Sequence, residues 1–403
     1  MTTSITIRGY GVICGAGTTS TEAFLAIRNR EVRNQLLAQE WFPESTVAPC
    51  FLAVESGALR RRLAEGGIVA APWVNRTVLL ALTAILEALA KAGLSVADLK
   101  GKTVGVAIGT TVGCTFNNEA YYCQWRAGQT PDQAPLDAYL NSNLAALVQH
   151  ILGIRGPRLV VTNACSSGTD AIGLASSWLK AGLCDLALAG GADELSRIAC
   201  HGFHSLMLVS DESCTPFGQN RKGLNLGEGA GILLLERGDG SKTNLFGGLR
   251  GYGAAGDGFH PTAPHPEGRG LQSALRQAME SAGVDGGMIA MINGHGTGTP
   301  ANDRAETNGL VAAGLADVPL VSTKGATGHT LGAAGGIEAV FTLMALNEGY
   351  LTGTIGCAEV DPDLARDVLG EDQEVTLKSP IGISQSLAFG GGNGVLVLEG
   401  KLR

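Results

Sequence analysis

Three residues of this chain have types and neighbours that could do chemistry together: Cys165 in VTNACSSGTDAIG, His295 in NGHGTGTP and His329 in STKGATGHTLGAAGG. A cysteine is a nucleophile only as thiolate, and a helix N-terminus favours that anion through its unpaired N–H groups and its dipole. Ser166, Ser167, Gly168 and Thr169 follow Cys165 and permit close backbone approach at a helix start. The expectation is therefore a thiol with a lowered pKa. Singly, such a cysteine is more often a buried turn residue, and a lone histidine more often a hydrogen-bonded one. Both histidines here lie in loops at strand ends, and together with Cys165 they make a plausible site.

The elements that must position them read clearly. Strand-length apolar runs alternate with helical patterns, as in Thr103 to Ile108, Tyr139 to Leu152, Leu159 to Thr162 and Thr169 to Ala181. This alternation predicts an α/β protein with parallel-rich sheets and packed helices. The run Asn75 to Ala92 is apolar almost all round and predicts a buried helix. Around Cys165 the order is strand, tight turn, helix, strand. The later half repeats the plan: MIAMING leads into HGTGT, and PLVSTKGATGHTLGAAGGIEAVFTLMALNEG reads strand, turn, long helix. Two similar halves are expected, residues 1–242 with the cysteine and 243–403 with both histidines. The polar stretch Asp239 to Asn244 is the expected linker.

The 403 residues, 45% of them hydrophobic, allow a deep core, and 59 glycines with 5% aromatics suit a dense α/β enzyme. Net charge is −8 and no long basic run occurs, which argues against a nucleic-acid or acidic-membrane surface. No secretory pattern or bilayer-length apolar stretch is visible, so a cytoplasmic location is expected. Nine cysteines without a C-x-x-C pair argue against a disulfide framework and a zinc ribbon. Cys200, His201 and His204 resemble a metal cluster only superficially, since no second ligand pair matches them. GLNLGEGAG precedes a strand rather than opening a helix, so it is no dinucleotide fingerprint. Neither a metal nor a bound cofactor is expected.

Six ordered blocks carry a family resemblance: VTNACSSGTDAIG, GGADE at Gly190 to Glu194, TPFGQNRKGLNLGEGAGILLLE from Thr215, HGTGTPANDRAE from His295, STKGATGHTLGAAGGIEA from Ser322 and SLAFGGGNG from Ser386. Over nearly its whole length the chain resembles β-ketoacyl-[acyl carrier protein] synthases of the elongating type. The resemblance implies a thiolase-like fold, two related halves in five αβαβα layers, and a dimer with its sites near the subunit interface. It implies that Cys165 takes an acyl group from the 4′-phosphopantetheine arm of an acyl carrier protein. Decarboxylative Claisen condensation with a malonyl unit follows, with His295 and His329 as hydrogen-bond donors. By the same resemblance, backbone N–H groups of Cys165 and Phe389 form an oxyanion hole. Lys324 and Glu306 support the histidines, unless those two simply form an ion pair, and Lys324 would help keep His329 neutral. Thr297 and Thr299 would bind the pantetheine amides, and Phe389 would gate the nucleophile. The gate departs from the usual NSFGFGGTN: Leu387 and Ala388 stand where phenylalanine and glycine are usual.

Other readings are a degradative thiolase and a non-catalytic chain-length factor. The first needs a second cysteine in the glycine-rich loop, and Cys357 lies outside it; retention of Cys165, His295 and His329 opposes the second. The active subunit of a heterodimer with a chain-length-factor homologue, in a polyketide or polyene pathway, stays open beside a homodimer. For the acidic carrier, Arg60, Arg61 and Arg62 form the densest basic patch.

Overall fold

The computed structural model describes residues 5–36, 49–53, 56–71, 74–111, 116–134, 136–137, 143–238 and 246–401. Ten strands form the main sheet: β1 (Ile5–Cys14), β2 (Val104–Gly109), β3 (Arg158–Val161), β4 (Leu186–Asp193), β5 (Gly229–Arg237), β6 (Gly248–Gly256), β7 (Ile289–Asn293), β8 (Leu320–Val321), β9 (Ile381–Leu387) and β10 (Gly392–Glu399). Their spatial order is β8-β7-β9-β10-β6-β1-β5-β4-β2-β3. Read outward from the centre, the order β1-β5-β4-β2-β3 repeats as β6-β10-β9-β7-β8, and the two sets join where Ile5 and Thr6 meet Leu249 and Gly248.

Six helices follow the same repeat. In the first half they are α1 (Arg76–Lys91), α2 (Leu144–Leu152) and α3 (Ser167–Lys180); in the second, α4 (Arg269–Ala282), α5 (Pro300–Ala312) and α6 (Ala334–Glu348). Helices α1 and α2 cover the outer face of the first set of strands, and α4, backed by α5, covers that of the second. Between the sets lie α3 and α6, which touch each other and strands of both halves. The layers are therefore αβαβα, the arrangement of the thiolase-like fold.

Sequence accounts for these contacts locally. Asn75 caps α1 by accepting from Val78 N–H, and eleven residues of the helix are buried, as its all-round apolar pattern requires. The tetrapeptide Arg-Gly-Tyr-Gly occurs at 8–11 in β1 and again at 250–253 in β6. A Cβ on Gly9 or Gly251 would lie 2.0 or 2.2 Å from the Ala88 or Ala278 carbonyl oxygen, so these glycines let α1 and α4 rest directly on their strands.

The sheet is mixed rather than parallel-rich. Parallel pairing is confined to β2 with β3 and β4, and to β7 with β8 and β9; every other pair is antiparallel. One cause is plain at β9 and β10, which are joined only by residues 388–391, too short for the crossover that parallel neighbours need. The linker expected at Asp239 to Asn244 lies outside the described residues. No described helix is long and apolar enough to cross a membrane.

Candidate active site

Cys165 sits in a single 3-10 turn, Ala164–Ser166, between β3 and α3. Ala164 has φ 48°, a left-handed conformation that costs an L-residue about 1 kcal/mol and must be held by its surroundings. Ser167 provides one hold, accepting from Asn163 N–H at 2.8 Å and donating to the Ala164 carbonyl at 2.6 Å. Asp170 provides another: its carboxylate accepts from Asn163 Nδ2 and Ser166 Oγ, both at 2.9 Å, and from the Tyr252 hydroxyl at 2.8 Å. Tyr252 belongs to β6, so this carboxylate ties the nucleophile's turn to the other half of the molecule.

The second half brings in both histidines. His329 follows β8 and precedes the turn into α6; its backbone is fastened to the 225–227 segment, with His329 N–H donating to the Asn225 carbonyl at 2.7 Å. His295 follows β7, and its N–H donates to Glu306 of α5. His329 Nε2 lies 3.0 Å from Cys165 Sγ, and the two imidazoles meet edge to face with centroids 5.1 Å apart. The three side chains are buried, and one donor atom from each falls within 4.8 Å of the others.

Burial dominates the electrostatics. It pushes the Cys165 thiol up to about 12, outweighing the Lys324 charge and the Phe389 N–H that favour the thiolate. The lowered pKa expected from the helix start is thus not what the site has, because the turn is wholly desolvated. Burial first, and Lys324 second, hold His295 and His329 well below the ordinary histidine range, so both rings are neutral at pH 7.

Lys324 and Glu306 lie on different parts of this site. The Lys324 ammonium is 3.4 Å from His295 Nδ1 and forms its ion pair with Glu338 of α6, not with Glu306. Glu306 holds the His295 loop by accepting from the N–H groups of His295 and Gly296 and from Gln385 Nε2 at 2.7 Å. Its carboxyl is raised to about 7, chiefly by burial. Glu338 and Gln385 were not singled out from sequence, although both lie within or beside the motif blocks; that Lys324 is buried to 1% exposure, and so needs a carboxylate, is visible only in the fold. Asp303, which accepts from Phe217 and Thr297 N–H groups and pairs with Arg221, was missed as well.

A cavity of about 370 Å³ runs from Cys165, His295 and His329 past Thr297 and Thr299 to exposed Leu206, Pro300 and Ala301. The two threonine hydroxyls are 2.8 Å apart. Phe389 lines the same cavity, and its ring stacks on Phe203 at 5.2 Å and 24°. Phe203, from the helix Arg197–Ser205, carried no sequence signal. Its ring also meets His329 edge-on at 6.3 Å.

Among the described residues, Cys165, His295 and His329 form the one group with metal-ligand spacing, and Cys200, His201 and His204 form none. Soft donors so placed suit a zinc-like cation in type. The Lys324 ammonium beside His295 opposes one electrostatically. The arginine patch is largely committed elsewhere: Arg60 donates to the carbonyls of Ala70, Ala71 and Val74, Arg62 donates to that of Thr18, and Arg61 alone of the three is exposed.

Residues 68–240 match the N-terminal domain of β-ketoacyl synthases and residues 246–358 the C-terminal domain. A 3-oxoacyl-[acyl-carrier-protein] synthase 2 of Staphylococcus aureus is 32% identical over 340 residues, 81% of this chain and 82% of that protein. Among solved structures, the ishigamide ketosynthase/chain length factor superposes with a TM-score of 0.90 at 29% identity over the whole of both chains. A ketosynthase in complex with its chain length factor from Xenorhabdus doucetiae gives 0.85 at 28%, covering 99% of this chain and 98% of that one. Matching both domains in order and over most of its length, the chain belongs to the β-ketoacyl synthase family.

Proposed function

We propose that this chain is a β-ketoacyl-[acyl carrier protein] synthase that condenses an acyl group on Cys165 with malonyl-acyl carrier protein, in fatty acid or type II polyketide elongation. The observation carrying this reading is the convergence of Cys165, His295 and His329 at the inner end of one cavity. Acyl transfer begins as Cys165 Sγ, accepting from His329 Nε2–H, attacks the thioester carbonyl, and the thiol proton ends on the departing pantetheine sulfur. Backbone N–H groups of Cys165 and Phe389 receive the oxyanion. The malonyl thioester then loses carbon dioxide. The electron pair of the broken C–C bond moves into an enolate whose oxygen accepts from His295 and His329, both neutral donors. Attack of the enolate carbon on the acyl carbonyl expels Cys165 as thiolate, which takes up a proton.

Lys324 and Glu306 act through the histidines, and Thr297 and Thr299 hold the pantetheine amides. The substrates arrive on the 4′-phosphopantetheine of the carrier protein, and no separate cofactor is required. Because two similar structures are ketosynthases associated with chain length factors, a heterodimer with such a subunit is favoured over a homodimer. The boundary between the halves is taken at residues 242 and 243. A cytoplasmic location fits the eight cysteines that stand outside any disulfide among the described residues.

The test is the intact mass of the protein after incubation with a short acyl-carrier protein, for the native chain and Cys165→Ala. Acyl mass on the native chain alone, followed by a β-ketoacyl product when malonyl-carrier protein is added, is the expected result. A folded native chain that stays unacylated with acyl groups of several lengths, with and without a chain-length-factor subunit, overturns it.

A further inference from the structure

His329 Nε2 stands 3.0 Å from the Cys165 thiol, and its place is fixed at two points: its own backbone and the turn just after it. The 225–227 segment takes the backbone, since Gly227 N–H donates to the His329 carbonyl at 3.0 Å and Asn225 accepts from the His329 N–H. Beyond it the chain turns into α6 through Leu331, whose φ of 53° is kept by an L-residue only when its surroundings hold it.

The hold on that turn comes from Asp193, at the end of β4 in the first half. Asp193 is fully buried, and its Oδ2 accepts from the N–H groups of Gly332 and Thr111, both at 2.7 Å. Its Oδ1 accepts from the Thr110 hydroxyl at 2.6 Å. Thr110 and Thr111 directly follow β2, so one side chain ties the ends of two strands of the first half to a turn of the second. Only glycine fits where they meet. A Cβ on Gly332 would lie 2.7 Å from Asp193 Oδ2, and one on Gly191 would lie 2.1 Å from the Gly332 carbonyl oxygen. The turn is therefore seated directly on the end of β4, and its position follows that of Asp193.

We infer that Asp193 is a positioning residue for His329, holding the turn after it so that the imidazole keeps its place against the Cys165 thiol and the malonyl thioester oxygen. The inference rests on the condensing reaction proposed above. Asp193 touches no reacting atom. It acts by geometry, since a misplacement of about 1 Å near the chemistry can cost about 100-fold in rate. Decarboxylation depends on it most, because the enolate oxygen takes its donors from His295 and His329, whereas backbone N–H groups receive the oxyanion of acyl transfer.

Charge and geometry can be separated at this position. In Asp193→Asn the amide oxygen can take the place of Oδ2 while the NH2 group donates to Thr110 Oγ1, so the three bonds survive and the charge goes. Asp193→Ala removes bonds and charge together.

The experiment uses the full chain, with and without a chain-length-factor subunit, and measures two half-reactions. One is carbon dioxide release from malonyl-loaded acyl carrier protein of a bacterial type II synthase; the other is acylation of Cys165 by hexanoyl-pantetheine. In Asp193→Ala, kcat for decarboxylation should fall about tenfold or more with KM changed less than about twofold, and acylation should fall less than about threefold. Asp193→Asn should keep both half-reactions within about twofold of native. Thr110→Val leaves the carboxylate but removes the hydroxyl that orients it, and should lower decarboxylation about threefold. Circular dichroism reads the folding of each variant. Decarboxylation at the native rate in Asp193→Ala, or in Thr110→Val when the alanine variant is unfolded, overturns the inference. So does an equal loss in both half-reactions, which marks a general structural role, or a loss in Asp193→Asn as deep as in Asp193→Ala, which marks charge. Failure of the native chain in both half-reactions overturns the condensing reaction, and this inference with it.

Discussion

Ala164 and Leu331 adopt the same left-handed backbone conformation, φ 48° and 53°, each one residue into the 3-10 turn that opens a central helix. In the first half the next residue is Cys165; in the second it is Gly332, whose N–H donates to Asp193 of the first half at 2.7 Å. One strained turn has thus been kept twice and used differently: once to present a thiol, once to lock the halves together and set His329 just before it.

The turn at Cys165 is held partly from a distance, so Tyr252→Phe should slow acylation without touching any reacting atom. It removes one hydrogen bond to a charged acceptor, a loss of about 1.5–3 kcal/mol in stability. Single-turnover acylation measured beside the denaturant midpoint checks this. A stability loss with unchanged acylation would leave Tyr252 as a purely structural contact.

Lys324 and Glu338 are both buried, so removing one leaves the other charge uncompensated. Lys324→Met is expected to cost about 3–5 kcal/mol, and the double variant Lys324→Met/Glu338→Gln clearly less, because it leaves no buried charge behind. Urea unfolding of the single and double variants decides the matter; additive losses would deny the coupling.

His295 and His329 have folded pKa values pushed well below the ordinary value, by burial and then by Lys324. Their stability contribution follows in sign. Between the folded values and about 6.5 the unfolded chain binds more protons, so stability present above about 6.5 is lost as the pH falls through that window. In spectra of the protein with isotope-labelled histidine, these two rings should show no titration at pH 6.5 and above. A midpoint near 6.5 for either would contradict the neutral-donor assignment.

Because burial raises the Cys165 thiol to about 12, its alkylation by iodoacetamide should keep accelerating with pH beyond the range where an exposed thiol levels off, near 8.5. Peptide mass spectrometry of Cys165 after timed alkylation gives the profile. A plateau below pH 8 would mean that the helix start wins over desolvation after all.

Much of this arrangement is written in contiguous sequence. The buried helix at Asn75 to Ala92 follows from its apolar pattern and its asparagine cap, and the turn at Cys165 from a strand running into small residues. A stronger internal signal, the repeated Arg-Gly-Tyr-Gly that marks the first strand of each half, is visible once the strands are seen to correspond.

Sequence by itself determined which residue types are available and where each stands on its own element: a cysteine at a strand-to-helix turn, two histidines after strands, a lysine between the last two. These are local properties, set by periodicity and turn chemistry. Tertiary structure alone decided the partners and the charge states. Glu338, not Glu306, neutralises Lys324, since only packing of α6 against the loop after β8 brings them together. Phe203 meets Phe389 across nearly half the chain. Cys165 has a raised rather than a lowered pKa, because desolvation depends on everything that surrounds the thiol, and a helix start read from sequence reports only one of those surroundings.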